Sequence, residues 1–359
     1  MNKNSPIAIA VSGGVDSLVS GYILQQRYKN IFGVHFTTGY EKECIDLTSI
    51  ERQLGFPVST IDLSDEFEEK VVHYFIHTYL QGKTPNPCLI CNREIKFGTL
   101  LEHVQNMGAD YLATGHYAGV VNQVSVPGQR PGQTSSECYL EKGEDRLKDQ
   151  SYFLSMLSRT QIEKIIFPLA EMTKRRVKKF AHKKKLKPVA EKESQDICFI
   201  HDNDFARFIV EKENITPEPG DIMDSDHKII GQHQGVHKFT VGQRRGINCP
   251  AREPYYVQHI DIKNHLLKVC FKKDLFKNRL QISDIVWNGS KNFQHEKKER
   301  VVRDIITKIR YGHKGGLSTL YFNNTGGELI FDEPQHAVTP GQAAVFYKDS
   351  RVLGAGIIQ

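Results

Sequence analysis

Apolar residues first fall in a short unbroken run, Ile7 to Val11. They then recur at helical spacing as Val15, Leu18, Val19, Tyr22 and Ile23, with Ser12-Gly13-Gly14 between the two patterns. The run has strand length and no polar alternation, so it predicts a strand buried on both faces; the spacing after it predicts a helix. The succession then repeats. FGVHFTT predicts a strand, IDLTSIERQLG a helix stopped at Gly55, FPVSTIDLS a strand and Asp65 to Leu80 a helix. NREIKFGTLLEHV predicts a helix through Ile95, Leu100 and Val104, and ADYLATGHYA a strand ending at Gly115-His116-Tyr117. Such alternation predicts an α/β domain built on a parallel sheet with crossover helices. Beyond residue 205 the elements shorten. ITPEPGDIMDSDHKIIGQHQGVHKFTVGQRRG reads as short strands with Gly and Pro turns, and VVRDIITKIRY, GLSTLYF, GELIFD and AAVFYKD as strands of a small β-barrel. The division expected is 1–205, 206–277 for a small central domain, and 278–359 for the barrel.

Composition adds bounds. At 359 residues the chain is longer than one core usually supports. Its 25% charged and 39% hydrophobic content exclude a disordered or fibrous protein. No apolar run approaches the roughly 18 residues of a membrane span, and MNKNSPIAIAVSGG lacks the apolar core of a signal peptide, so a cytoplasmic location away from membranes is expected. Seven cysteines, an odd number, do not form a disulfide framework in a chain of this size. The net charge is +6. It is concentrated in TKRRVKKFAHKKKLK, where nine of the fourteen residues from Lys174 to Lys187 are Lys or Arg. Val177, Phe180 and Leu186 supply an apolar stripe, and the cations read either as a solvated helix face or as a contact for RNA phosphates.

The glycines after the first strand lie at a strand-to-helix junction, where free backbone N–H groups and the helix dipole attract an anion. Neither GxxxxGK[ST] nor GxGxxG is present. The segment Ser12-Gly13-Gly14-Val15-Asp16-Ser17 instead lets the backbone close around a pyrophosphate, adds two hydroxyl donors, and places Asp16 where it could help hold a Mg2+ ion. SGGVDS resembles the loop of the ATP pyrophosphatase superfamily, whose members split ATP between its α and β phosphates. That resemblance implies a PP-loop domain, HUP-like or adenine nucleotide alpha hydrolase-like. ATP would lie along Ala10, Val11, Ser12, Gly13, Gly14, Val15, Asp16 and Ser17, with Phe36 and Gly115 at neighbouring strand ends.

Cys88 and Cys91 sit behind Thr84-Pro85-Asn86-Pro87, a stretch that disfavours helix, and in front of a helical pattern. A thiol at a helix start is expected to have a lowered pKa, which suits a nucleophile or a metal ligand. A structural zinc site needs four ligands and the chain has no second C-x-x-C, while a thioredoxin-like pair would leave the ATP loop without a task. The remaining candidate partner is Cys198, in Glu193-Ser194-Gln195-Asp196-Ile197-Cys198-Phe199-Ile200; taken alone it would be a buried hydrophobe.

SGGVDS, NPCxxCNxxIKF, ATGHYA, KDQSYFL, ESQDICFI, HQGVHKFTVGQRRGI, EPYYV and PGQ occur in the order shown by tRNA-specific 2-thiouridylases, and the resemblance spans nearly the whole chain. It implies ATP-dependent adenylation of the C2 oxygen of a wobble uridine, followed by displacement of AMP by sulfur. Cys198 would carry the sulfur as a persulfide, with Cys91 as the second thiol, able to release it by forming a disulfide. Where many members have aspartate in NPDxxCN, this chain has Cys88. The resulting set of Cys88, Cys91 and Cys198 resembles related tRNA thiolases that hold a 4Fe-4S cluster with one open iron, so both routes stay open. Contacts to tRNA are implied for Asn86, Pro87, Cys88, His116, Lys148, Asp149, Gln150, Arg310, Tyr311 and Gln342, with the anticodon arm held by the later domains and the base everted. The sulfur would come from a sulfur-relay protein, a cysteine desulfurase or inorganic sulfide. A C–N bond-forming ligase of the same superfamily and an RNA-binding module without catalysis are the rival readings.

Overall fold

A computed structural model of the chain describes residues 3–123, 137–189, 197–202, 204–289 and 300–359. The Gly-, Pro- and Ser-rich insert at 124–136 and the Glu193-Ser194-Gln195-Asp196 part of the ESQDICFI motif lie outside the described residues.

The apolar run forms β1 (Ile7–Ala10), with Ile7, Ala8 and Ile9 fully buried, and the helical spacing forms α1 (Val15–Gln25). Next come β2 (Ile31–Thr37), α2 (Leu47–Leu54), β3 (Val58–Asp62) and β4 (Tyr111–Ala113). A hairpin of β5 (Ala118–Gln123) and β6 (Glu137–Lys142) precedes β7 (Ile165–Ile166). The sheet order is β3-β2-β1-β4-β7, parallel throughout, so β1 lies at its centre. Burial on both faces is what such a strand requires, and it explains the absence of alternation in its sequence. The helix expected through Ile95 takes a different form. Cys91–Thr99 is π-helical and becomes α-helical only at Leu100–Asn106, although Ile95, Leu100 and Val104 are all buried as their spacing predicts.

The basic run forms α3 (Lys174–Lys183), which packs on α1. Helix α4 (Phe205–Glu213) follows Cys198, and its Phe205 stacks on Tyr79 with ring centroids 4.7 Å apart. A four-stranded sheet comes next: β8 (Gly220–Met223), β9 (Ile229–His233), β10 (Tyr256–Asp261) and β11 (Leu266–Cys270), ordered β10-β11-β8-β9 over Ile222, Phe239, Val257 and Leu267.

The last six strands are β12 (Phe276–Trp287), β13 (Arg300–Lys308), β14 (Gly316–Asn323), β15 (Gly326–His336), β16 (Ala343–Lys348) and β17 (Arg351–Ile358). They run β12-β15-β14-β13-β16-β17, and pairing of β12 with β17 closes the barrel. Strand β16 is buried on both faces. Ala344 and Phe346 join the barrel interior, while Ala343, Val345 and Tyr347 join the core of the first domain. Two-residue periodicity thus makes one strand a shared wall. The β5–β6 hairpin extends the barrel sheet where Glu141 pairs with Arg351. Among the described residues no helix is long and apolar enough to cross a membrane.

Candidate active site

The nucleotide end is built at the C-terminal edge of β1. The Val11 N–H donates to the Val34 carbonyl at 2.8 Å, and the His35 ring, through Nδ1, meets the Val11 carbonyl at 2.9 Å. Gly13 has φ +74, a left-handed conformation that glycine adopts without steric cost. Gly14 then opens α1 and provides no side-chain cap, so the first-turn N–H groups stay available to an anion. Ser17 Oγ donates to the Gly14 carbonyl at 2.9 Å and accepts from the Ser12 N–H at 3.2 Å, which holds the loop to its own helix. Ala10, Val11 and Phe36 occupy the strand ends behind the loop.

Gly115 faces the loop from β4. A Cβ there would lie 3.0 Å from the Asp16 carbonyl carbon and 3.1 Å from the Ser17 nitrogen, so a side chain would displace loop backbone. Asp16 is engaged on both oxygens. The Tyr117 hydroxyl donates to one at 2.6 Å and the Lys174 ammonium to the other at 2.7 Å. The sequence reading offered Asp16 as an aid to Mg2+; here its carboxylate instead ties α3 and the segment after β4 to the loop. Tyr117 and Lys174 escaped that reading because they lie 101 and 158 residues from Asp16. The signals they did leave were their motifs, GHY and the start of the basic run.

The sulfur end lies between the proline turn and α4. Asn86 caps the short helix Pro87–Ile90, accepting from the Leu89 N–H, and Pro87 sits buried at its first position. Cys91 opens the π-helical stretch, where about 4.4 residues make a turn, so Lys96 five positions on returns to the same face. Cys198, distant in sequence, is near enough for its charge to act on them. It raises the pKa of Cys91, as does Cys88, and Lys96 acts on all three thiols in the opposite sense.

Phe199 determines where Cys198 stands. Its ring is 2% exposed and meets Phe75, Phe208, Phe67 and Tyr40 at centroid distances of 5.2, 5.4, 5.8 and 5.8 Å. With the Phe199 ring buried, the adjoining Cys198 remains exposed. The Tyr40 hydroxyl in turn donates to Glu68 at 2.5 Å, and Lys212 of α4 donates to the same carboxylate at 2.8 Å.

The electrostatics correct one expectation. A helix start was expected to lower the thiol pKa, yet surrounding protein raises it at all three cysteines, to about 12 at Cys91. Desolvation outweighs both the helix dipole and Lys96. Carbamidomethylation of Cys91 by iodoacetamide, followed on its peptide by mass spectrometry, is therefore expected to be slow at pH 7 and to keep accelerating toward pH 12. A plateau near the ordinary thiol value of about 8.5 would refute the burial argument. The folded state holds this proton more tightly than the unfolded one. Its contribution to stability is thus complete below pH 9 and declines as pH rises toward 12.

The three thiols sense one another, but among the described residues no three His, Cys, Asp or Glu side chains are spaced to hold a metal ion. In this arrangement they do not fit a cluster, and no step below runs through one.

Of the residues for which tRNA contact was expected, several are engaged internally. The Gln342 amide donates to the carbonyls of Thr84 and Pro85 at 3.0 and 3.1 Å, pinning the barrel to the loop before Cys88. Arg310 donates to the His336 carbonyl, and Tyr311 rests on Phe153 with centroids 4.6 Å apart while 40% exposed. Asp149 is buried and accepts from Gly143 and Ser151; Gln150 accepts from the Tyr117 N–H. Lys148 is partly buried and Cys88 is exposed. His116 is buried between Phe97 and Phe167 and paired with Thr114 at 2.7 Å. Burial holds its pKa well below the usual histidine value, and Lys96 pushes the same way. In this conformation His116 buttresses the site from within and offers almost no surface to a base.

A strand–SGGVDS–helix junction followed by two further β modules is the arrangement of a nucleotide-binding α/β protein with appended β domains. Residues 5–202 match the tRNA methyl transferase HUP domain, 208–271 the tRNA methyl transferase PRC-barrel domain, and 277–358 the aminomethyltransferase beta-barrel domain. The chain is 41% identical to a tRNA-specific 2-thiouridylase of Desulfosudis oleivorans, over all of this chain and 96% of that one. It is 38% identical to the tRNA-specific 2-thiouridylase of Desulfotalea psychrophila, over 98% of each, and 39% identical to that of Syntrophotalea carbinolica, over 99% of each. The chain belongs to the tRNA-specific 2-thiouridylase family. The HUP domain and its loop imply the use of ATP.

Proposed function

We propose that this chain replaces the C2 oxygen of a tRNA wobble uridine by sulfur, consuming ATP and releasing AMP and pyrophosphate. A uridine carbonyl is a poor electrophile with an oxide leaving group, so activation must come first. The C2 oxygen attacks the α phosphorus and pyrophosphate departs, held by the N–H groups after Gly14 and the hydroxyl of Ser12. A persulfide on Cys198 then attacks C2 through its terminal sulfur, and AMP leaves with the oxygen. The Cys91 thiolate attacks Cys198 Sγ, the S–S bond to the transferred sulfur breaks, the C2=S bond forms and a Cys91–Cys198 disulfide remains. A thiol reductant restores the pair, and a persulfide on a sulfur-relay protein or cysteine desulfurase passes its outer sulfur to Cys198; inorganic sulfide would instead reload Cys198 by attacking the Cys91–Cys198 disulfide, leaving Cys91 as the thiol. Lys96, whose charge lowers the pKa of all three thiols against the larger effect of desolvation, is the cation that favours the Cys91 thiolate at that step.

The observation that carries this reading is that Cys91 and Cys198, 107 positions apart, lie close enough in a HUP-domain chain for the charge of one to act on the other. Units 1–205, 206–277 and 278–359 would serve as catalytic domain, spacer and anticodon-arm holder, with Asn86, Pro87, Cys88, Lys148, Arg310, Tyr311 and Gln342 at the base-receiving junction. The work of such a chain lies where tRNA is, in the cytoplasm. Incubation with ATP, Mg2+, a persulfide donor and unmodified tRNA is expected to yield 2-thiouridine on nucleoside mass spectrometry, together with AMP. AMP release without 2-thiouridine, under conditions where Cys198 is shown to be persulfidated, would refute the proposal.

A further inference from the structure

The basic run is not used by the chemistry described above, apart from Lys174. Helix α3 is anchored along one stripe: Val177 and Ala181 are buried, Leu186 just beyond the helix is also buried, and Phe180 meets Tyr22 edge-on at 5.8 Å. Arg175, Arg176, Lys178, Lys179, Lys183, Lys184, Lys185 and Lys187 are all exposed. No acidic residue stands between Thr173 and Val189. The apolar stripe is consumed inside, so the helix has no hydrophobic face left to enter a membrane.

This face opposes its own stability. Lys174, Arg175 and Arg176 occupy the first turn, which contains no acid, although the positive end of the helix dipole favours acids there. Arg175 with Lys179, and Lys179 with Lys183, are like charges four positions apart, each pair mildly destabilising. A surface maintained at such a cost is explained by a polyanion that relieves it. Both ends of the run are fastened to the nucleotide loop. Lys174 donates to Asp16 at 2.7 Å, and the Val189 N–H donates to the Gly13 carbonyl at 2.9 Å.

We infer that the outer face of α3, continued through Lys187, is a docking surface for the sugar-phosphate backbone of the substrate tRNA, joined to the nucleotide loop by Lys174–Asp16 and Val189–Gly13. The inference rests on the tRNA reading proposed above. It requires no base contact: an array of cations along about 15 Å of helix binds phosphates irrespective of sequence, through release of counterions. The two arginines add bidentate phosphate contacts.

The test is fluorescence anisotropy with a labelled tRNA transcript between 50 and 200 mM salt, comparing the wild-type chain with two triple variants. Arg175→Gln/Arg176→Gln/Lys179→Gln is expected to weaken binding at least about tenfold at the low-salt end and to flatten the slope of log K against log salt by about 2 to 3. A thermal midpoint at or above that of the wild type will show that it is folded. Lys263→Gln/Lys272→Gln/Lys273→Gln removes the same charge from exposed positions in and just after the central sheet and is expected to change affinity far less. An α3 variant with wild-type affinity and slope overturns the inference, as does an equal loss in both variants, which would assign the effect to net charge. A wild-type chain that binds no tRNA overturns the tRNA reading itself, together with this surface.

Discussion

Cys198→Ser and Cys91→Ser are each expected to lower 2-thiouridine formation by at least about 10³-fold while leaving ATP binding near its wild-type value. A serine oxygen cannot hold transferable sulfur, and serine at 91 cannot act as the thiol that frees sulfur from Cys198. The two variants should fail at different points. Cys198→Ser leaves the sulfur acceptor missing, whereas Cys91→Ser still accepts one persulfide at Cys198 and stalls with the sulfur bound. Because both residues serve one reaction sequence, the double variant should be scarcely worse than either alone. ATP binding is spared because the loop is held by hydrogen bonds of Ser17, His35, Tyr117 and Lys174 that involve no thiol. Nucleoside mass spectrometry measures the first quantity and isothermal calorimetry with a non-hydrolysable ATP analogue the second. Wild-type thiolation by either serine variant would eliminate sulfur transfer through this pair.

Phe199→Ala is expected to destabilise the first domain by about 3–5 kcal/mol, the cost of removing a fully packed aromatic ring from a core that only partly collapses. The four ring neighbours come from three separate places: Tyr40 after β2, Phe67 and Phe75 on the helical segment that follows β3, and Phe208 on α4. The ring therefore joins elements as well as filling space, and edge-to-face pairs add about 0.5–1.5 kcal/mol each beyond burial. Sulfur transfer should fall along with stability, because Cys198 is positioned by its neighbour's burial. Phe199→Leu, which keeps most of the volume, should recover much of both. Urea denaturation followed by far-UV circular dichroism measures the shift; a loss below about 1 kcal/mol would show that Cys198 is held by something other than this cage.

Local patterns made much of the molecule legible. The run Ile7 to Val11 and the helical spacing after SGG placed the nucleotide loop because a strand buried on both faces and an amphipathic helix leave different periodicities. Gly55 ends α2 with φ +72, as a helix stop should. The alternation in VVRDIITK and LSTLYF announced barrel strands in the same way. The π-helical turn at Cys91 left no such mark, since one widened turn changes the period over too few residues to register, and with it Lys96 went unnoticed.

The sequence by itself determined which residues have the chemistry: a glycine-rich phosphate loop, three thiols in two motifs, and a band of cations. These are properties of composition and short spacing, which survive without knowledge of the fold. Only the tertiary structure decided how those residues are spent. It neutralised Asp16 with Lys174 and Tyr117, sank His116 between two phenylalanines, turned Gln342 into a fastening for the barrel, and raised the thiol pKa values that a helix start alone would have lowered. Each of those outcomes depends on burial and on partners distant in the chain, and neither desolvation nor a contact across a hundred residues is written in local periodicity.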